Sequence, residues 1–250
     1  MEGFKAALIN EIEKLYKKKK VLVAVIISLI FIVLGQLSII ALRNGFGLRG
    51  VSSMDFPILV LSVVVNTILP LFTALVTIDS FSGEFSHNTM KISLTRPISR
   101  LKFFTAKLTA IALFVLANLL FVMIFSIIAG LLFNSNSLTL KGIIRILLSY
   151  TVTLIPMIVL SLIIVLFTNI IKSSVGVFFI SIFIFIIFKA LEIIFYRYSG
   201  LFFTSMLNWY TLWIMNTIPF FKILRQFILM LSYDILLFTG SYYLFDKKDF

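Results

Sequence analysis

The sequence contains no cysteine and one histidine, His87. It therefore offers no disulfide, no thiolate ligand and no cysteine nucleophile, and a lone imidazole does not make a multi-histidine metal site. No GxxxxGK[ST] stretch occurs, so the chain has no phosphate-cradling P-loop of its own. Charge is scarce as well: 13% of the residues are charged, against about a quarter in soluble domains. Acids are the scarcer sign, with 10 Asp and Glu beside 22 Lys and Arg and a formal net charge of +12. A membrane enzyme needs convergent acids, imidazoles or metal ligands near one face, and these scattered groups do not supply them.

Apolar residues fill the space. They make up 61% of the chain, and mean hydropathy is +1.14. Uncharged or nearly uncharged runs lie at about 21–42, 56–78, 108–133, 146–171, 173–196 and 226–245. Each reaches or exceeds the ~20 residues that a helix needs to cross ~30 Å of hydrocarbon. The runs are continuous rather than alternating, which selects helices over a β-barrel. The expectation is an all-α polytopic membrane protein with six transmembrane helices in one domain, 1–250. A seventh uncharged stretch, 201–221, holds both tryptophans, Trp209 and Trp213, with Asn208, Tyr210, Asn216 and Pro219. Trp and Tyr favour the membrane interface, so this stretch reads as an interfacial or re-entrant hairpin before the last span.

With six spans and an internal N-terminus, about twice as many basic residues fall on the inner side as on the outer. The positive-inside rule then places both chain ends in the cytoplasm. The basic excess reads as contact with anionic headgroups rather than with nucleic acid. Rich Phe, Ile and Lys usage hints at an AT-rich bacterial genome, hence a bacterial plasma membrane. The first apolar run is too long for a signal peptide, and no small-residue cleavage site follows it. Ahead of it, Phe4, Leu8, Ile12, Leu15 and Tyr16 recur on one helical face. Residues 1–20 therefore read as an amphipathic helix on the inner surface, ended by the lysines of 17–20.

The wettest stretch is 79–107, DSFSGEFSHNTMKISLTRPISRLKFFTAK. Gly83 is expected to break the second span's helix. Thr95-Arg96-Pro97 signals a turn or helix start, because Pro suits a first helical turn and disfavours helix just before it. Between them, 84–94 is expected to form a short helix across the membrane face. Here the sequence resembles the type-2 permeases of ATP-binding-cassette (ABC) transporters. The resemblance rests on Asp79, Gly83, Glu84, Thr89, Lys91, Leu94, Pro97, Ser99, Arg100 and Lys107, with the six spans and the amphipathic N-terminal helix in support. Family members often carry Gly-Thr after the acid, whereas here Glu84 is followed by Phe-Ser-His-Asn-Thr89.

The resemblance implies a coupling helix seated in a groove of a separate ATPase subunit, with Glu84, His87, Asn88, Thr89, Lys91, Arg96 and Arg100 as docking residues. It implies that the N-terminal segment, through Phe4, Leu8, Ile12 and Leu15, is an elbow helix touching the same subunit. The unit would be two permeases, identical or paralogous, with two ATPases. ATP and Mg would sit on the partner, and this chain would bind no cofactor. Compact permeases similar to this one serve bacitracin resistance, lantibiotic immunity and phenol-soluble-modulin export, which makes amphipathic peptides the expected cargo. The 28 Phe residues suit an apolar or amphipathic cargo. A lipid or small-molecule exporter and a non-transporting sensor or scaffold are the alternatives.

Three acidic or basic residues fall inside predicted spans: Lys189, Glu192 and Asp234. A mid-bilayer charge costs at least ~2.5–3.5 kcal/mol on insertion scales, so such groups usually find a partner or water. Lys189 and Glu192 can pair at i,i+3, and Lys189 can reach Asp234 if the fifth and sixth spans are neighbours. They either line a polar cavity or gate, or form a structural salt bridge. Pro70 and Pro156 are expected to kink their helices, and Asn66, Asn118 and Asn169 can bond between helices.

Overall fold

In lipid, the only hydrogen-bond partners open to a continuous Leu, Ile, Val and Phe run are its own backbone groups. The runs are helical in a computed structural model of the chain, which describes residues 2–46, 51–86, 98–135, 138–171 and 173–248. α1 (Glu2–Tyr16) turns at Lys17 and Lys18 into α2 (Lys19–Phe46). α3 (Phe56–Asn66) and α4 (Ile68–Ser86) follow, then α5 (Arg100–Phe133). α6 (Leu140–Val152) and α7 (Leu154–Ile170) lead to α8 (Ser174–Ile194). A 3-10 helix (Tyr196–Leu201) and the short α9 (Phe203–Met206) and α10 (Tyr210–Trp213) precede α11 (Phe220–Asp246). Among the described residues six helical segments are long and apolar enough to cross a membrane. The only strand-like pairing there is an isolated bridge between Ser52 and Ser135.

Several boundaries differ from those the sequence predicts, among them the start of the third span, at Arg100 rather than 108. The second span is not one helix over 56–78; it breaks at Thr67. The fourth does not begin at 146; it begins at Leu140 and breaks at Thr153. Each break lies three residues before a proline, Pro70 or Pro156, whose ring nitrogen has no proton for the carbonyl four residues back. At both breaks the threonine hydroxyl bonds the preceding turn instead: Thr67 Oγ1 donates to the Val63 carbonyl and Thr153 Oγ1 to that of Ser149, each at 2.6 Å. Gly83 does not end α4, which runs on to Ser86. Glycine costs a helix only about 1 kcal/mol, and the neighbours Phe81 and Ser82 are buried. Finally, α11 starts at Phe220, directly after Pro219, rather than at 226.

α4, α5 and α7 pack against one another at the centre, and α2, α8 and α11 lie outside them. Buried positions on α5 recur with helical spacing through Phe103, Lys107, Ala110, Phe114, Asn118, Val122, Ser126 and Gly130. On α8 only Val177 is buried. Without a hydrophobic drive between helices in lipid, close approach depends on small residues. Gly130 is such a point, since a Cβ there would stand 2.7 Å from the Ser53 carbonyl oxygen. At Gly142 the Cβ would meet Met54 Cγ at 2.8 Å, the flexible part of a side chain. Gly130→Ala is therefore expected to cost about 1–3 kcal/mol as overpacking against backbone, and Gly142→Ala clearly less. Thermal unfolding followed by tryptophan fluorescence checks this ranking, and equal shifts would contradict it.

Of the stretch predicted as an interfacial hairpin, 201–221, residues up to 213 fold into short helical turns that begin at Tyr196, and Phe220 and Phe221 already belong to α11. Trp209 is 2% exposed. It stacks on Phe227 with ring centroids 6.2 Å apart and meets Trp213 edge-on at 5.3 Å.

Candidate functional site

At one end of the bundle, α1, the last turns of α4, the first turns of α5 and the last turn of α11 converge. On α1, Ala7, Glu11 and Leu15 are buried, Leu8 and Ile12 pack partly buried against the core, and Phe4 is half-buried. This stripe is narrower than the sequence suggests, because Tyr16 is 59% exposed. It lies along α5, and at its centre sits a carboxylate, Glu11. Facing it on the buried stripe of α5 is an ammonium, Lys107.

These two groups form half of a closed square. Lys107 Nζ lies 2.8 Å from Glu11 Oε2 and 2.8 Å from Glu84 Oε2. Lys14 Nζ lies 2.9 Å from Glu11 Oε1 and 2.9 Å from Glu84 Oε1. Each carboxylate thus divides its two oxygens between the two ammonium groups, and the square is neutral. Lys107 also donates to the Ser80 carbonyl at 2.9 Å, alongside its hydrogen bond to Glu11 Oε2. Its Nζ stands 4.8 Å from the centre of the Phe103 ring, a cation–π contact. The Lys107 side chain is fully buried, that of Glu11 is 4% exposed and that of Glu84 12%. Charges so far from water are tolerable only when every one is paired in good geometry, and this square meets that condition. It joins α1, α4 and α5.

Asp79, one turn earlier on α4, takes Lys20 at 2.8 Å and Lys18 at 3.8 Å, so the turn between α1 and α2 is held to the same helix. Lys14 and Lys18, both at this end and outside the spans, shift in opposite directions. Burial draws the Lys14 pKa down, but the hydrogen bonds and charges of Glu11 and Glu84 outweigh it and hold the value above the ordinary 10.5. For Lys18 burial prevails over the attraction of Asp79, and its pKa falls. A raised lysine pKa stabilises the fold fully below the unfolded value and is lost as pH rises through the folded one. Lys14 is therefore expected to contribute undiminished through neutral pH, and its share should fade only above 10.5. Thermal melts of wild type and Lys14→Met, run from neutral to alkaline pH, should converge there and not before.

Aromatic packing closes the same end. Phe104, fully buried, has ring contacts with Phe81, Phe238, Tyr242 and Phe245 at centroid distances of 5.3–5.7 Å. Arg100 donates to the carbonyls of Asp246 and Lys248. Lys248 Nζ stands 3.9 Å from the centre of the Phe85 ring and donates to the Thr168 carbonyl at 3.3 Å. α5 begins where Ser99 caps it, its hydroxyl accepting from the Lys102 amide.

Of the docking residues named from the sequence, Glu84 sits in the last turn of α4 inside the square, and Arg100 holds the end of α11. His87, Asn88, Thr89, Lys91 and Arg96 lie outside the described residues. Of the intramembrane charges, Lys189 pairs with Glu192 at 3.3 Å and not with Asp234, so the reach from Lys189 to Asp234 is not realised. Two of the three asparagines do bond between elements: Asn66 donates to Asn208 Oδ1 at 2.9 Å, and Asn169 to the Ser241 carbonyl at 3.1 Å. Sequence reasoning missed Glu11 altogether and took Lys107 only as a motif residue. The available signal was position, since each occupies an apolar helical stripe.

A family model described as ABC-2 family transporter protein matches residues 7–189, a stretch that contains all four members of the square. A search of curated proteins returns no match. The family match covers more than half of the chain, and among the described residues six helices are long and apolar enough to cross a membrane. The chain belongs to the ABC-2 transporter family, as a membrane permease component of an ABC transporter.

Proposed function

We propose that this chain is the permease of an ATP-driven exporter, and that residues 87–97 dock a separate ATPase. The observation that carries this reading is the ion-pair square immediately before that segment. α4 ends in Glu84–Ser86, and α5 begins at Arg100. Both flanks of 87–97 are therefore anchored, one by Glu84 and one by Lys107, to a common rigid unit that includes α1. A push on the intervening segment by a nucleotide-driven partner reaches three helices together. His87, Asn88, Thr89, Lys91 and Arg96 supply the polar and basic groups for the contact, while Glu84 works as a latch inside the permease. ATP and Mg belong to the partner.

In this reading the square marks the cytoplasmic side of a bacterial plasma membrane, and the 196–213 turns lie toward the outer face. A second permease, identical or paralogous, completes the unit with two ATPases. The apolar outer face of α8 is available for it. Amphipathic peptides are the proposed cargo, in keeping with the Phe-rich interior.

The test is co-purification. The tagged chain, extracted in mild detergent, is expected to bring down a Walker-type ATPase at equal stoichiometry with ATP turnover. Lys91→Glu should weaken that association by roughly tenfold, as loss of an interfacial charge pair does, without lowering the thermal stability of the permease. A chain that purifies alone even after crosslinking would overturn the docking assignment.

A further inference from the structure

A second polar feature adjoins the charged end and runs from Thr105 along the bundle to Asp234. An open groove of about 490 Å³ runs between α5, α7 and α11. Leu108 and Phe238 are among its apolar walls, and Asp234 lies on its α11 side. Asp234 is twelve residues before the end of α11, about 18 Å along the helix from Asp246. Its Oδ1 is buried and has no hydrogen-bond partner among the described residues.

The hydroxyls around the groove cannot help it. Thr105 donates to the Leu101 carbonyl at 2.9 Å and Thr109 to that of Thr105 at 2.8 Å. Ser161 donates to the Ile158 carbonyl at 2.7 Å and Thr239 to that of Ile235 at 2.8 Å. Every one of these protons is committed to a helix backbone, so the groove presents oxygen lone pairs and a carboxylate, and no side-chain hydroxyl proton. Of the intramembrane cations, Lys189 is paired with Glu192, and Lys107 is enclosed in the square. A site lined by acceptor oxygens and one unpartnered carboxyl group, within apolar walls, is complementary to a group rich in donors and positively charged, carried on an apolar chain; such a group would hold the carboxyl in its ionised form.

We propose that this groove binds a single-chain cationic amphiphile, its ammonium group on Asp234 and its chain along the apolar walls. As a cargo site the groove rests on the exporter reading; as a binding site it does not, and the test reads binding by this chain alone. The full chain is reconstituted in phosphatidylcholine nanodiscs and titrated with radiolabelled dodecylamine, and partition into empty nanodiscs is subtracted. A single saturable class of binding is expected. Asp234→Asn should weaken it by about tenfold, between the effects of exposed and buried charge pairs. Ala112→Phe, which fills the groove and leaves the carboxylate in place, should weaken it as well. Dodecyl sulfate and dodecanol should compete poorly. The Lys91→Glu chain should bind dodecylamine like wild type, which separates this site from partner docking. The proposal fails if the wild-type chain shows no saturable component, if both groove variants bind normally, or if dodecanol competes as well as dodecylamine. Should Asp234→Asn prove unstable, Ala112→Phe decides.

Discussion

Lys107→Met is expected to lower thermal stability more than the loss of any other lysine at the charged end. The change removes two edges of the square at once. It leaves Glu11 and Glu84 close together with only Lys14 between them, and it leaves the Ser80 carbonyl without its side-chain donor. Removing one partner from a buried ion pair typically costs about 3–5 kcal/mol, because the charge left behind is uncompensated. Lys17 provides the contrast. Its pair with Glu13 spans 3.6 Å, with both side chains well exposed, and Lys17→Met should cost about 1 kcal/mol or less. Combining Lys107→Met with Glu11→Gln should recover part of the loss, since the second change removes an orphaned charge. Melting curves of the four proteins in one detergent decide the matter. If Lys107→Met and Lys17→Met melt alike, the square is not the clamp described above.

The second large effect is expected at Phe104. Its ring joins Phe81 of α4 to Phe238, Tyr242 and Phe245 of α11. In a membrane, apolar surface gains little by leaving lipid for protein, so the ring stabilises through contact and edge-to-face geometry. Phe104→Ala opens a cavity bordered by other rings, and losses of about 3–5 kcal/mol are usual for such truncations. Phe104→Leu retains most of the volume and should cost less. Protease accessibility near Phe85 and Phe245, measured with the melting temperature, should rise in the alanine variant. Equal behaviour of the alanine and leucine variants would show that the ring is not the link between α4 and α11.

How far the sequence reveals this fold depends on the range of the interaction. Six helices are readable because hydrophobic run length is a local property. Pro70 and Pro156 announce an interruption, but the break falls three residues earlier, at Thr67 and Thr153, where the missing amide proton is felt. Lys189 and Glu192 are legible as a pair because their spacing alone brings them together. Gly83 misleads, since a weak local breaker yields to the contacts made by Phe81 and Glu84 on either side of it. Glu11 and Lys107 are invisible as partners because ninety-six residues separate them, and only the packing of α1 on α5 brings them to 2.8 Å. For Asp234, its place on α11 follows from the sequence, but the absence of a partner depends on which neighbours turn away.

The paired breaks divide the bundle at a level of its own. α3 packs with α6, and α4 packs with α7, so each half of one interrupted helix meets the matching half of the other. The molecule is thus built in two storeys with a seam at Thr67 and Thr153. The lower storey is bolted by the Glu11–Lys14–Glu84–Lys107 square. The upper is tied instead to the 196–214 segment, through Asn66 to Asn208 and Arg145 to the Ile214 carbonyl. Bending an intact helix ruptures backbone hydrogen bonds, but here Pro70 and Pro156 have already removed one rung from each ladder beside the seam. A bend of these two helices therefore meets less resistance at the seam than one in α5, which runs unbroken from Arg100 to Phe133.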